Sequence, residues 1–226
     1  MAVFECLIWG TLAHYGAGRH RRLTACLLAA GLLFSMAAQL WLLRLDGLLS
    51  VQTGLPLHLC GFSALVCVLL CFRYSKRLYH FLLLLGVPGA ALALVFPAVT
   101  ICSRPLLMQV AFLRLHALII AVAVFFAAQK KPLPADPKET FLLGNGLMLL
   151  AAVTNRLTGS NYLFLRAAPS QTPLAMMIVH GYPVYIAGLE LLCMLLLSAC
   201  HIGEVQVSLW DKYTIDACKK AGVQLL

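Results

Sequence analysis

The sequence predicts an all-α fold: a polytopic transmembrane helix bundle with six clear spans and a short first helix, seven in all. Three observations predict it. Of the 226 residues, 62% are hydrophobic and 11% charged, with mean hydropathy +0.91, whereas soluble domains are about a quarter charged. The apolar runs are about 17 to 25 residues long and do not alternate with polar residues, so they are helices and not barrel strands. The basic residues fall in short clusters between those runs, the pattern of topology signals and headgroup contacts. Residues 1–200 form one membrane domain and 201–226 a polar C-terminal tail. The net charge is +9, but there is no basic face of the kind nucleic acid requires, so the expected partners are membrane lipids.

Residues 1–17 are apolar with Glu5 and His14. This run is short for a span, and its charges follow it, unlike those of a signal peptide. Arg19, Arg21 and Arg22 make a basic loop, and 23–43 is a full span. After the loop 44–55, Gly54-Leu55-Pro56-Leu57-His58-Leu59-Cys60-Gly61 opens the next helix, expected from Pro56, a residue suited to the first helical position, to about Phe72. Cys60 then sits near unpaired backbone amides and the positive end of the macrodipole, a setting that suits a nucleophilic thiol. Arg73, Lys76 and Arg77 form a second basic loop. The span 78–97 carries Gly86-Val87-Pro88-Gly89 and should kink there. Residues 106–128 form a span holding Gln109, Arg114 and His116, and a Lys/Pro-rich loop follows. The last spans are 140–156, ending in Thr154-Asn155-Arg156, and 173–200, with Tyr182-Pro183-Val184-Tyr185 near its start.

Lys and Arg divide unevenly between the two sides. Arg19, Arg21, Arg22, Arg73, Lys76, Arg77, Lys130, Lys131, Lys138, Lys212, Lys219 and Lys220 fall on one, and Arg44, Arg104, Arg156 and Arg166 on the other. The positive-inside rule then puts the N-terminus outside and the C-terminus in the cytoplasm of a cell-membrane protein.

On that topology the costly polar residues gather in the outer half of the bundle: His58, Cys60, Gln109, Arg114, His116, Asn155, Asn161 and Tyr162. His58 and Cys60 are two residues apart and do not face each other on a regular helix, so the base for Cys60 should come from another helix. His116 is the candidate, with Gln109 seven residues earlier on the same face. Asn155 or Asn161 would orient the imidazole or bind an oxyanion. Arg114 is expected to snorkel to the headgroups, Cys67 and Cys71 to pack, and Tyr182 and Tyr185 to sit in the interfacial belt; Glu190 has no assigned role. The nine cysteines show no CxxC pair or metal-like spacing, so free thiols and neither metal nor cofactor are expected.

Leu55-Pro56-Leu57-His58-Leu59-Cys60, the helix from Gly86-Val87-Pro88-Gly89-Ala90 to Phe96-Pro97, His116, Asn155 to Gly159-Ser160-Asn161-Tyr162-Leu163-Phe164-Leu165, Pro169 and Tyr182-Pro183-Val184-Tyr185-Ile186 occur in this order. The ordered set resembles the YwaF-type bacterial integral membrane proteins, which are similar to the eukaryotic transmembrane protein 164 acyltransferases. The resemblance covers roughly residues 20 to 190. It departs in a shorter first helix and in Tyr182, where a tryptophan is usual. What it implies is acyl transfer between glycerophospholipids, with a cysteine carrying the acyl group and a histidine serving it. Those roles fall on Cys60 and His116. The competing class is a non-catalytic carrier or a lipid- or solute-binding bundle.

Overall fold

The computed structural model describes residues 1–18, 20–97, 99–100, 102–131, 137–168, 181–191, 193–195 and 198; the expected tail 201–226 lies outside them. Every regular element described is helical. α1 spans Ala2–Gly16, α2 Arg21–Leu45 and α3 Leu59–Phe72. α4 (Lys76–Phe81) continues through a π-turn (Leu82–Gly86) into α5 (Val87–Val95). α6 is Pro105–Ala128 and α7 Lys138–Thr158, followed by a 3-10 turn at Tyr162–Phe164, and α8 is Tyr182–Leu195. Among the described residues, four stretches are long and apolar enough to cross a membrane: Arg21–Leu45, Lys76–Val95, Pro105–Ala128 and Lys138–Thr158. α3 and α8 are shorter apolar helices.

α6 is the axle. It is the most enclosed of the four long helices, and α1, α2, α3 and α5 all pack against it. In lipid, apolar character does not drive helices together, so close approach through small residues must do so. α6 buries Ala111, Ala117, Ala121 and Ala123. Gly31 of α2 faces Leu118, and a Cβ there would lie 3.1 Å from the leucine methyl. Gly86 and Gly89 bring the π-turn and α5 onto α3, where added Cβ atoms would stand 3.2 Å from Ser63 Oγ and 2.7 Å from Leu59 Cδ2. At Gly16 a Cβ would collide with the Thr24 side chain, so only glycine closes the α1–α2 hairpin this tightly.

The kink expected around Pro88 takes the form of the π-turn. Proline cannot donate to the carbonyl four residues back and its ring crowds that carbonyl. The preceding turn widens instead, and the Val87 N–H bonds to the Leu82 carbonyl, five residues back.

Contacts between loops show that the helices alternate in direction. At the basic end, Arg77 pairs with Glu139 at 3.3 Å, and Lys131 lies over the Tyr74 ring, 4.6 Å from its centroid. At the opposite end, Asp46 accepts bonds from the Ser103 hydroxyl and N–H, which hold its carboxyl below the usual range. There too Gln52 Nε2 donates to the Thr158 carbonyl at 2.7 Å.

Two expectations are corrected. Arg114 does not snorkel: it pairs with Glu5 of α1 at 3.0 Å, and Trp9 Nε1 donates to the same carboxylate at 2.8 Å. A half-buried charge flanked by helices is better matched by a fixed carboxylate than by a stretch to distant headgroups. Tyr185 is not a belt residue. It is fully buried, and its hydroxyl donates to the Phe164 carbonyl at 2.8 Å; Tyr182 is exposed.

Candidate functional site

α3 begins at Leu59, with His58 as its extended N-cap residue (φ −74°, ψ 150°). It does not begin at Pro56. Tertiary bonds override the local preference for Pro56 at the first helical position. The Tyr162 hydroxyl accepts the Leu55 N–H at 3.0 Å and donates to the Val51 carbonyl at 2.7 Å, pinning 51–55 as a turn. Pro56 then folds back over the first turn of α3, where a Cβ on Gly61 would meet Pro56 Cα at 3.1 Å. Cys60 therefore occupies the second helical position, closer to the amide-rich end than expected. It is half-buried and free.

His58 packs its ring against Tyr162 and Phe164, each at 5.2 Å between centroids. Those rings belong to a constrained loop. Leu163 (φ 54°) and Phe164 (φ 57°) are consecutive non-glycine residues in the left-handed region, which costs about 1–2 kcal/mol per residue and persists only where surroundings enforce it. Asn155, buried at the end of α7, is the main clamp. Its Oδ1 accepts the Tyr162 N–H at 2.7 Å and the Ser160 hydroxyl at 2.8 Å, and its Nδ2 donates to the Tyr162 carbonyl at 2.9 Å. Gly159, at φ 73°, ends α7 and lets the chain turn back. Asn161 closes the loop's far side: its Oδ1 accepts the Arg166 and Ala167 N–H groups at 2.9 and 3.1 Å, and its Nδ2 donates to the Ala167 carbonyl at 2.8 Å.

His116 is 1% exposed, in the interior of α6. Its Nδ1 lies 2.7 Å from the Phe112 carbonyl, which can only accept, so Nδ1 carries the proton. In the neutral ring Nε2 then bears the lone pair, and it has no hydrogen-bond partner among the described residues. The orienting group of His116 is thus a backbone carbonyl of its own helix. Neither Asn155 nor Asn161 holds it; both amides are occupied in the loop. Gln109 is half-buried near the start of α6, and its side chain makes no hydrogen bond among the described residues.

α3 and α6 touch and run in the same direction. Near the basic end Tyr74, just past α3, stacks on Phe126 of α6 at 5.6 Å, which fixes one common level. Counting back from that contact at about 1.5 Å per residue, His116 is ten residues, about 15 Å, above Phe126, and Cys60 is fourteen residues, about 21 Å, above Tyr74. The thiol thus stands about one helical turn farther from the basic end than the imidazole, on a helix that touches α6, and no hydrogen bond joins the two. Ser63, one turn below Cys60 on the same face, is also buried with no partner for its hydroxyl. The i, i+3 spacing from Cys60 was its only signal in the sequence.

A family model described as the TMEM164 family matches residues 1–200. The chain belongs to the TMEM164 family. Short stretches are also similar to aspartate–ammonia ligases. The Lactobacillus johnsonii enzyme is 41% identical over 61 residues, 25% of this chain and 18% of that protein. The Limosilactobacillus fermentum enzyme is 54% identical over 39 residues, 17% of this chain and 12% of that protein. The chain thus spans less than a fifth of the length of these relatives. No solved structure matches. Family membership and the long apolar helices make this a multi-pass membrane protein.

Proposed function

We propose that this TMEM164-family chain is a thiol-dependent acyltransferase acting on glycerophospholipids. The observation that supports the reading is the buried, unpartnered Nε2 of His116 on α6, about one turn in depth from Cys60 on α3, a helix that touches it. In this mechanism His116 Nε2 takes the Cys60 thiol proton as the sulfur attacks a lipid ester carbonyl. The carbon–oxygen bond breaks, the lysolipid oxygen takes that proton, and the acyl group remains on sulfur as a thioester. An acceptor hydroxyl then gives its proton to Nε2 and attacks the thioester, and the thiolate leaves and is reprotonated. The amides of Cys60 and Gly61 at the helix start are suited to the oxyanion. His58, Asn155, Asn161 and Tyr162 hold the loop that packs on the start of α3, and Gln109 is given no step.

Site-resolved alkylation tests the pair. A membrane-permeant electrophile should modify Cys60 before Cys67 or Cys71 in the native protein. His116→Ala should slow Cys60 about tenfold or more and leave the other two unchanged. A Cys60 no faster than Cys67, or indifferent to His116→Ala, would favour the non-catalytic binding bundle.

In the same reading α1, α3 and α8 also cross, giving seven spans in a cell membrane, with the N-terminus outside and the candidate site toward the outer face. The Lys/Arg bias supports this orientation. A reporter fused after Lys131 should be cytoplasmic, and one in the 160–168 loop external; the reverse pair would put the site on the cytoplasmic side.

A further inference from the structure

A groove of about 390 Å³ opens beside the C-terminal end of α7, lined by Arg156, Arg166 and Tyr182 over an apolar floor of Ala152 and Leu165. The two arginines line it from different segments. Arg156 comes from the last turn of α7, and Arg166 from the loop that Asn161 closes. Both are exposed, and neither has an ion-pair or side-chain hydrogen-bond partner among the described residues. The other arginines beside loop carboxylates are paired: Arg77 with Glu139, and Arg104 with Asp46. Two uncompensated positive charges around one concavity are suited to an anion.

Depth and flank say which anion. α7 has 21 residues, about 31 Å of helix, which matches the hydrocarbon thickness. Its last turn therefore lies at the level of lipid phosphates. Toward the membrane centre on the Arg156 face of α7, Leu149 (67% exposed) and Leu142 (69%), seven and fourteen residues earlier, make an outward apolar stripe. A phosphodiester between the guanidiniums would let acyl chains run down that stripe. Asn155, which borders the groove, also clamps Tyr162, and Tyr162 packs on His58 two residues before Cys60.

We propose that Arg156 and Arg166 form a subsite for the phosphodiester of a glycerophospholipid, whose acyl chains lie along Leu149 and Leu142. This deepens the acyl-transfer reading by assigning where the lipid is held, and as a binding site it does not depend on the thiol.

The test is equilibrium binding to the full chain in detergent, carrying Cys60→Ala so that no turnover occurs. The probes are dihexanoyl phosphatidylcholine, dihexanoylglycerol, glycerophosphocholine and inorganic phosphate. The phosphatidylcholine should bind most tightly. Arg156→Gln and Arg166→Gln should each weaken it about tenfold and leave dihexanoylglycerol unchanged. Arg156→Lys and Arg166→Lys, which keep the charge and lose the fork, should lie between. Phosphatidylcholine binding within twofold of normal in the double Gln variant, or an equal loss for dihexanoylglycerol, would overturn the subsite. Glycerophosphocholine or inorganic phosphate binding as tightly as the lipid would overturn the lipid assignment. If the arginines matter and Cys60 proves dispensable for acyl transfer, the subsite stands and the thiol mechanism falls. If the arginines are dispensable and Cys60 is essential, the mechanism stands and the subsite falls.

Discussion

Cys60→Ala should lower acyl transfer by about three orders of magnitude or more, to background, with folded yield unchanged. Cys60 is half-buried, free and in the first turn of α3, where alanine is well tolerated. Removing one sulfur from such a site costs about 1 kcal/mol or less. The fully buried Cys67 makes the contrast. Its replacement by alanine leaves a void in the core and should cost more stability while leaving transfer per folded molecule intact. Radiolabelled acyl exchange between phospholipids, normalised to monodisperse protein, separates the two. Residual exchange above a tenth of wild type in Cys60→Ala would remove the thiol from the chemistry.

Asn155→Ala should have the largest effect on stability, about 3 kcal/mol, because it strands the buried N–H and carbonyl of Tyr162 together with the Ser160 hydroxyl. With that clamp gone, the left-handed pair Leu163–Phe164 relaxes and the Tyr162 contacts to Val51 and Leu55 loosen. A lowered thermal midpoint in detergent and a loss of activity proportional to the loss of folded protein are the expected results. Asn155→Asp keeps the acceptor, loses the donor and should fall between. Turnover falling far more than folded protein would mean that Asn155 acts on substrate. Asn161, whose bonds are exposed, should matter less, at about 1 kcal/mol.

Hydropathy made the four long helices legible, because the requirement for internal backbone hydrogen bonding in lipid leaves one solution per apolar run. Pro88 announced its kink for the same local reason. The features that escaped depend on residues far apart in the chain. Glu5 is bonded to Arg114 across 109 positions, and no periodicity within α6 reveals a partner on α1. The start of α3 moved from Pro56 to Leu59 because a tyrosine 107 residues beyond Leu55 holds its N–H. Asn155 and Asn161 were legible as polar residues near the candidate site, but their partners were not. Asparagine serves loop backbone as readily as imidazole, and here it serves the loop. His116 was identifiable as an ionisable residue within a span, yet its tautomer is set by Phe112, four residues earlier on its own helix.

Acyl-enzyme trapping tests the thiol mechanism most directly. Purified protein incubated with a phospholipid, without acceptor, is digested and its peptides weighed. One hydroxylamine-sensitive acyl adduct is expected, on the peptide containing Cys60, absent from Cys60→Ala and slow to form in His116→Ala. Acyl exchange proceeding with no adduct at Cys60, or with the adduct on Cys67 or Cys71 instead, would contradict the thiol mechanism.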